Sequence, residues 1–342
     1  MNMNFIKINS TTRSFDVSTV CNALVDILIK VSDDDLSYFK MKKGQMHLVN
    51  SQAQSEILAY FSNKTETVEL GGSSLNTIRT LAALGSKAMF AGMIANDSFG
   101  DQIKSKLHHL KIDGRLTVTA HDATGSCLVL VTSDGERTMN TCLGASRLYD
   151  EKSIPVADIS TSKIFHFSGY QWDTEGQKKG IIKALDCAKK SQCIISFDLA
   201  DPFVVSKNKQ EFISLTEEYA DILFANREES FLLYNLSAEE TVQKVAENKS
   251  VAVVKLDKDG ALIGDENSFI KVPALDTKII DTTGAGDMFA AGFLYGVLNG
   301  VSLESSGKLA TILASDVISH WGASVSQHAI DQVISAVESF QK

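Results

Sequence analysis

The feature that most constrains this chain is a regular alternation that begins near residue 162. The runs KIFHFSG, CIISFDL, ADILFAN and VAVVKL read as apolar strands, and residues 175–190, 208–219 and 228–248 between them read as helices. Nearly continuous apolar strands are covered on both faces, and strands separated by helices build βαβ units around a parallel sheet. Right-handed crossovers then gather ligand-binding groups at the carboxyl ends of the strands. Polar residues fall at such ends: Asp198 after CIISF, Asn226 after ADILFA, and Asp281, expected at the end of a later strand.

The stretch Asp281-Thr282-Thr283-Gly284-Ala285-Gly286-Asp287 leads into the apolar run MFAAGFLYGVL. It reads as a strand end, a tight glycine turn and a buried helix, since the run is apolar on every side. The first-turn amides of such a helix have no intrahelical partner, and with the helix dipole they favour an anion, most often phosphate. Asp287 stands in that turn. A carboxylate there either takes a proton from a hydroxyl brought beside the phosphate or serves as a plain helix cap.

Other stretches point the same way. Gly71-Gly72-Ser73-Ser74-Leu75-Asn76 precedes a helix whose Leu75, Ile78 and Ala82 share one face, with Gly85 as its stop. Residues 16–29 read as one strand interrupted by Asn22 and Asp26. These are either a satisfied turn or bulge, or a pair that meets substrate hydroxyls. Residues 116–143 read as hairpins around the Asp134-Gly135 turn, with Arg137 just beyond it. Together with short strands near 46–49 and 65–70 they suggest a small sheet that covers the site. Residues 251–262 read as strand, DKDG turn and strand, with Lys255 either meeting a phosphate or facing solvent. Asp33-Asp34-Asp35 reads as a solvated helix start.

Taken together, DTTGAGD, GGSSLN, NALVDI and GERTMNTCLGA resemble the ribokinase-like (PfkB) carbohydrate and nucleoside kinases, from about residue 17 to residue 325. The look is nearest the adenosine kinase-like branch. The resemblance implies a doubly wound α/β fold, with a mainly parallel sheet flanked by helices and a small β-sheet lid over residues 44–70 and 116–143. It implies ATP-dependent transfer of the γ-phosphate to a primary hydroxyl of an adenosine-like nucleoside. The alternative is a sugar kinase acting on ribose, fructose or a related sugar. By this resemblance Asp287 is the catalytic base, the turn Gly284, Ala285 and Gly286 with Asp287 forms the anion hole, and Arg137 reaches the phosphates. Asn22, Asp26, Gly72, Ser73 and Asn76 hold the substrate. Asn226, Lys255 and Thr283 contact the nucleotide. Asn226 and Glu229 act around Mg2+, largely through water, and Asp281 lies near a monovalent cation such as K+. Cys21 departs from the family pattern, which has glycine there, and narrows the expected pocket.

The bulk properties exclude other classes. At 342 residues the chain suits one large kinase domain spanning 1–342. A net charge of −9 argues against non-specific nucleic-acid binding. Five scattered cysteines without a Cys-x-x-Cys suit reduced thiols in a cytoplasm. The polar N-terminus lacks a signal segment, and no apolar run reaches membrane-spanning length. Gly284-Ala285-Gly286 is followed by Phe289 where a dinucleotide fingerprint needs glycine, and no P-loop motif is present. A protein that kept the pocket but lost turnover is the remaining different-class reading. The exposed edge of a lid sheet is compatible with a monomer or a homodimer.

Overall fold

The computed structural model describes residues 13–64 and 66–341. Its strands are β1 (Phe15–Val20), β2 (Leu24–Lys30), β3 (Met46–Leu48), β4 (Glu66–Gly71), β5 (Ala88–Ala95), β6 (Asp113–Thr119) and β7 (Gly125–Val131). They continue as β8 (Arg137–Cys142), β9 (Ser162–Ser168), β10 (Ile194–Asp198), β11 (Ile222–Asn226), β12 (Val251–Lys255), β13 (Ala261–Gly264) and β14 (Phe269–Val272). A nine-stranded sheet runs β14-β13-β12-β11-β10-β9-β1-β5-β6, and a five-stranded sheet runs β3-β8-β7-β2-β4. In the large sheet every pairing from β6 through to β12 is parallel, and β13 and β14 add an antiparallel edge. This is the doubly wound α/β fold with a smaller lid sheet.

Alternation within each strand feeds two cores. On β11, Ile222 and Phe224 join the core on one face, and Leu223 and Ala225 join the core on the other. The helix Ala285–Leu298 lies on the first face, where Phe293 meets Phe224 edge to face at 5.5 Å. Beside it, and also packed on the sheet through Gly307 against Ile263 and Val272, is the helix Leu303–Ile318, so close that a Cβ on Gly292 would stand 2.6 Å from Ala310 Cα. Walled in by the sheet, by Leu303–Ile318 and by the helix Ser73–Ala83, whose Thr77 and Thr80 reach Asp287 and Met288, it has little wet face, which accounts for its all-apolar sequence.

Several expectations need correction. Residues 16–29 are two strands, not one. The chain leaves the large sheet at Cys21-Asn22-Ala23 and enters the lid as β2, which pairs with β4 and β7. Strand β6, expected in the lid, pairs in parallel with β5 at the edge of the large sheet, so residues 113–119 are not lid. Residues 44–70 also contain a helix, Ser51–Tyr60, and Thr65 lies outside the described residues. The expected helix over 228–248 is two, Arg227–Tyr234 and Ala238–Ala246, broken where Asn235 turns left-handed at φ 58°. No strand runs directly into Asp281. Residues 273–280 are irregular, and the Ile280 and Asp281 amides both donate to the Ile318 carbonyl. The expected readings of Glu175–Lys190, the Asp134-Gly135 turn between antiparallel β7 and β8, and the helix start at Asp33 all appear as drawn.

Candidate active site

A cavity of about 610 Å³ opens between the lid and the carboxyl ends of the large sheet. Asn22, Asp26, Gly72, Ser73, Asn76, Arg137, Lys255, Asp281, Thr283, Gly284, Ala285, Gly286 and Asp287 all line it. Asn226 and Glu229 do not. Glu229 is buried beneath the floor, where its carboxylate accepts the Asn226 amide N–H and Nδ2, each at 2.8 Å, while Asn226 Oδ1 accepts the Glu229 amide. The pair closes the cap of its own helix.

Gly284 turns the chain left-handed at φ 76° and starts the helix Ala285–Leu298. The Ala285 amide donates back to the Thr282 carbonyl at 3.2 Å, so one of the three amides expected in the anion hole is already engaged. The amides of Gly286 and Asp287 are free of such a bond among the described residues and sit at the positive end of the helix dipole. A Cβ on Gly286 would stand 3.1 Å from the Lys255 ammonium, so Lys255 lies against this turn and does not face solvent. It pairs with Asp198 at 3.4 Å. Burial works against the Lys255 charge, but Asp198, Glu229 and Asp287 outweigh it and hold the pKa above its ordinary value.

Asp287 is gripped from the N-terminal half of the chain. Ser73 Oγ donates to its Oδ1 at 2.6 Å, Asn76 Nδ2 donates to its Oδ2 at 2.9 Å, and Thr77 Oγ1 donates to its backbone carbonyl at 3.2 Å. Burial pushes the carboxyl up to about 6, against the pull of the Ser73 and Asn76 hydrogen bonds. A carboxylate with that value, fixed in orientation and facing a cavity, is matched to accepting a proton at neutral pH.

The grip depends on Gly72, which precedes the helix Ser73–Ala83 with φ 104°. A Cβ there would meet the Asn22 carbonyl oxygen at 2.7 Å and Cys21 Sγ at 3.3 Å. Cys21 thus fills space beside the glycine turn, as its bulk suggested. Asn22 is engaged on both sides: its Nδ2 donates to the Tyr170 carbonyl at 3.1 Å, and its Oδ1 accepts from Gln177 Nε2 at 2.8 Å. It orders the sheet-to-lid crossing, which is the satisfied-turn reading. Asp26 has no such partners, and burial raises its carboxyl to about 7.

Arg137 and Asp281 form an ion pair across the lid–core boundary. Asp281 also accepts the Gly322 amide on Oδ2 at 2.9 Å and the Thr283 amide on Oδ1 at 3.0 Å. With an arginine and two amides on it, this carboxylate does not fit the role of ligand to a monovalent cation. Arg137, expected to reach phosphate, is held by Asp281. For magnesium, no group of three or more metal-ligating side chains occurs among the described residues. The Glu229 carboxylate is taken up by Asn226 N–H groups and Asn226 Oδ1 by the Glu229 amide, so these residues would meet a metal held mainly by phosphate and water only through that water.

Sequence reasoning left Asp198 out of the site although it stands at a strand end, and missed Tyr170, Gln171 and Trp172, which follow β9 at the same end of the sheet. Strand-end position was the available signal. His320 pairs with Asp316 at 3.3 Å. Trp321 lies 5.8 Å from the Arg137 guanidinium, ring centroid to carbon.

A doubly wound sheet, a small lid and a buried carboxylate on a glycine-turned helix together define a phosphotransferase of small alcohols. Residues 59–330 match the pfkB family carbohydrate kinases, and the chain belongs to that family. It is similar to the crystal structure of a probable sugar kinase from Rhizobium etli, with 33% identity, 95% of this chain and 99% of that one covered, and a TM-score of 0.87. It is similar to an adenosine kinase from Sinorhizobium meliloti, with 31% identity, 94% and 99% covered, and a TM-score of 0.86. A 5-dehydro-2-deoxygluconokinase from Listeria innocua is 27% identical over 77% of this chain and 85% of its own length. The chain is thus an ATP-dependent kinase of a small hydroxyl-bearing substrate, with magnesium implied by family membership. No helix among the described residues is long and apolar enough to cross a membrane.

Proposed function

We propose that the chain is a sugar kinase that transfers the terminal phosphate of ATP to a hydroxyl of a small sugar. One observation carries the reading: Asp287 is oriented by Ser73 and Asn76 at the first turn of a buried helix and opens on the cavity. In this reading Asp287 takes the acceptor hydroxyl's proton, and the hydroxyl oxygen attacks the phosphorus. The amides of Gly286 and Asp287 and the Lys255 ammonium stabilise charge on the transferring group. Magnesium, when bound, would supply further charge neutralisation on the phosphates. Asp26, which lies against Gly71, receives the remaining sugar hydroxyls, with Gly72 on the same wall.

The sugar reading draws on likeness to sugar kinases from several organisms. A nucleoside acceptor is the second reading. It is favoured by the likeness to the Sinorhizobium adenosine kinase and by an apolar lid wall of Met46, Leu48, Met139 and Leu143. The test is ADP release with ribose, fructose, adenosine and guanosine, with the phosphate ester confirmed by mass spectrometry. Turnover on a sugar with none on the nucleosides supports the first reading, the reverse supports the second, and none on either removes both.

A further inference from the structure

Two loops meet behind the anion turn. Residues 281–284 lead into it, and residues 319–323 follow the helix Leu303–Ile318 past it. A Cβ on Gly284 would stand 2.8 Å from the Ala323 Cβ, so the second loop backs the turn directly. The contacts that fix the two loops end on two arginines. Arg137 pairs with Asp281, whose Oδ2 also accepts the Gly322 amide at 2.9 Å and whose Oδ1 accepts the Thr283 amide at 3.0 Å. Arg79 donates to the Ala323 carbonyl, and to the Leu70 carbonyl at 3.4 Å. It stands on the helix Ser73–Ala83, so the element that orients Asp287 through Ser73 and Asn76 also holds the loop behind Gly284. Burial works against both guanidinium charges, and the carboxylates of Glu69 and Asp26, with Asp287 for Arg79, partly offset it. Glu69 lies against the second loop, 3.4 Å from where a Gly322 Cβ would stand.

We infer that Arg79 and Arg137 together take the place of the monovalent cation expected beside Asp281. They hold the two loops around the anion turn, so that phosphoryl transfer by this chain is indifferent to monovalent cations and Arg79 is a positioning residue for the turn. This rests on the kinase reading and goes beyond it. A cation such as K+ is held by oxygens that replace its water shell. Here the oxygens nearest the turn already carry donors. Both carboxylate oxygens of Asp281 are engaged, and the Ala323 carbonyl is on Arg79. The Ile318 carbonyl accepts the Ile280 and Asp281 amides, and the Thr282 carbonyl accepts the Ala285 amide. A cation brought to Asp281 would either displace the guanidinium or sit beside it as a like charge. Glu69 and Asp26 do not reverse this balance, because their charge already serves the same two arginines. An arginine also offers what a spherical ion lacks. Its charge is permanent, its N–H groups form a planar fork, and its place is fixed by the chain.

The test uses the full chain in KCl, NaCl, CsCl or tetramethylammonium chloride at equal ionic strength, so that screening is the same throughout. The readouts are kcat and KM from ADP release with ribose, fructose, adenosine and guanosine, and the melting temperature without nucleotide. The kcat of the parent is expected to differ by less than about twofold across the four salts, and its melting temperature by less than about 1 °C, since an ion bound only to the folded chain would raise it. Arg79→Ala is expected to lower kcat at least about tenfold with acceptor KM within about threefold of the parent, because the turn is displaced and the acceptor wall is not. Millimolar guanidinium is expected to restore part of that kcat and to raise the variant's melting temperature relative to the parent's, whereas K+ does neither. Arg79→Lys, which keeps the charge without the fork, should fall between the two. A larger dependence of the parent on K+, in rate or melting temperature, overturns the inference. So does a smaller loss of kcat in Arg79→Ala, or a loss that guanidinium leaves untouched and Arg79→Lys shares in full. Absence of any phosphorylated product would sink the kinase reading instead. The melting temperatures across the salts, and of Arg79→Ala with guanidinium, would still decide what holds the loops.

Discussion

The guanidinium of Arg137, at the start of lid strand β8, is ion-paired with Asp281, six residues before Asp287 in the chain and almost fully buried. The pair joins the lid hairpin to the loop that leads into the catalytic turn, with Trp321 beside it. Lid position and turn geometry are therefore coupled through one contact.

That contact predicts non-additive energetics. Asp281→Asn leaves Arg137 without its counter-ion and is expected to cost about 3 kcal/mol in urea unfolding, the range found when one partner of a buried pair is removed. Arg137→Met is expected to be destabilising as well. The double variant should recover part of the loss, giving a coupling energy of at least about 1 kcal/mol. Simple additivity would mean that the pair is not a unit.

Asp287→Asn should reduce product formation by at least about a hundredfold, the low end for loss of a positioned general base. Its melting temperature should match or exceed that of the parent, because burial opposes the charge it removes. An undiminished rate in a folded variant would overturn the assignment of Asp287 as base.

The Asp287 carboxyl, lifted to about 6 from an ordinary 3.8, sets two pH dependences. Only the deprotonated form accepts a proton, so kcat/KM should rise through about pH 6 and level off above it. Ser73→Ala removes a hydrogen bond that favours the charged form, so the same limb should move to higher pH. For stability the sign is opposite. The folded state binds this proton more tightly than the unfolded chain does, so it gains stability at low pH and loses that gain as pH rises through the folded value. The unfolding free energy of the parent minus that of Asp287→Asn should fall between about pH 4 and 6 and be flat above. A difference independent of pH would contradict the burial argument.

Gly72→Ala places a Cβ 2.7 Å from the Asn22 carbonyl at a φ of 104°, a backbone conformation that residues with a side chain rarely adopt. The cost is expected to be about 1–3 kcal/mol. Because Ser73 and Asn76 follow on the same helix, activity should fall as well. A variant with parental melting temperature and activity would show that the turn tolerates a side chain.

What was legible in the residues was local. The 3.6- and 2-residue periods of 162–262, the glycine turns at Gly72 and Gly284, and the apolar helix behind Asp287 each follow from steric and burial rules that act over a few residues. Those rules sufficed for strands β9 to β12 and for the two glycine turns, but they did not mark β5, a fully buried strand of the same sheet. They did not reveal that residues 16–29 divide between two sheets, since both halves are equally apolar and only their pairing partners differ. For the same reason β6 joined β5 and not the lid.

Side-chain roles divided along the same line. The sequence by itself determined that Asp287 would begin a buried helix and that Ser73 and Asn76 would share the first turn of another. Only the tertiary structure decided that these two helices meet, that Asn22 is taken up by Tyr170 and Gln177, that Asn226 and Glu229 satisfy each other, and that Arg137 ends on Asp281. Helices and turns are selected by neighbours along the chain. A hydrogen-bond or ion-pair partner is selected by whichever distant group the packed core brings within about 3 Å, a choice that short-range patterns do not encode.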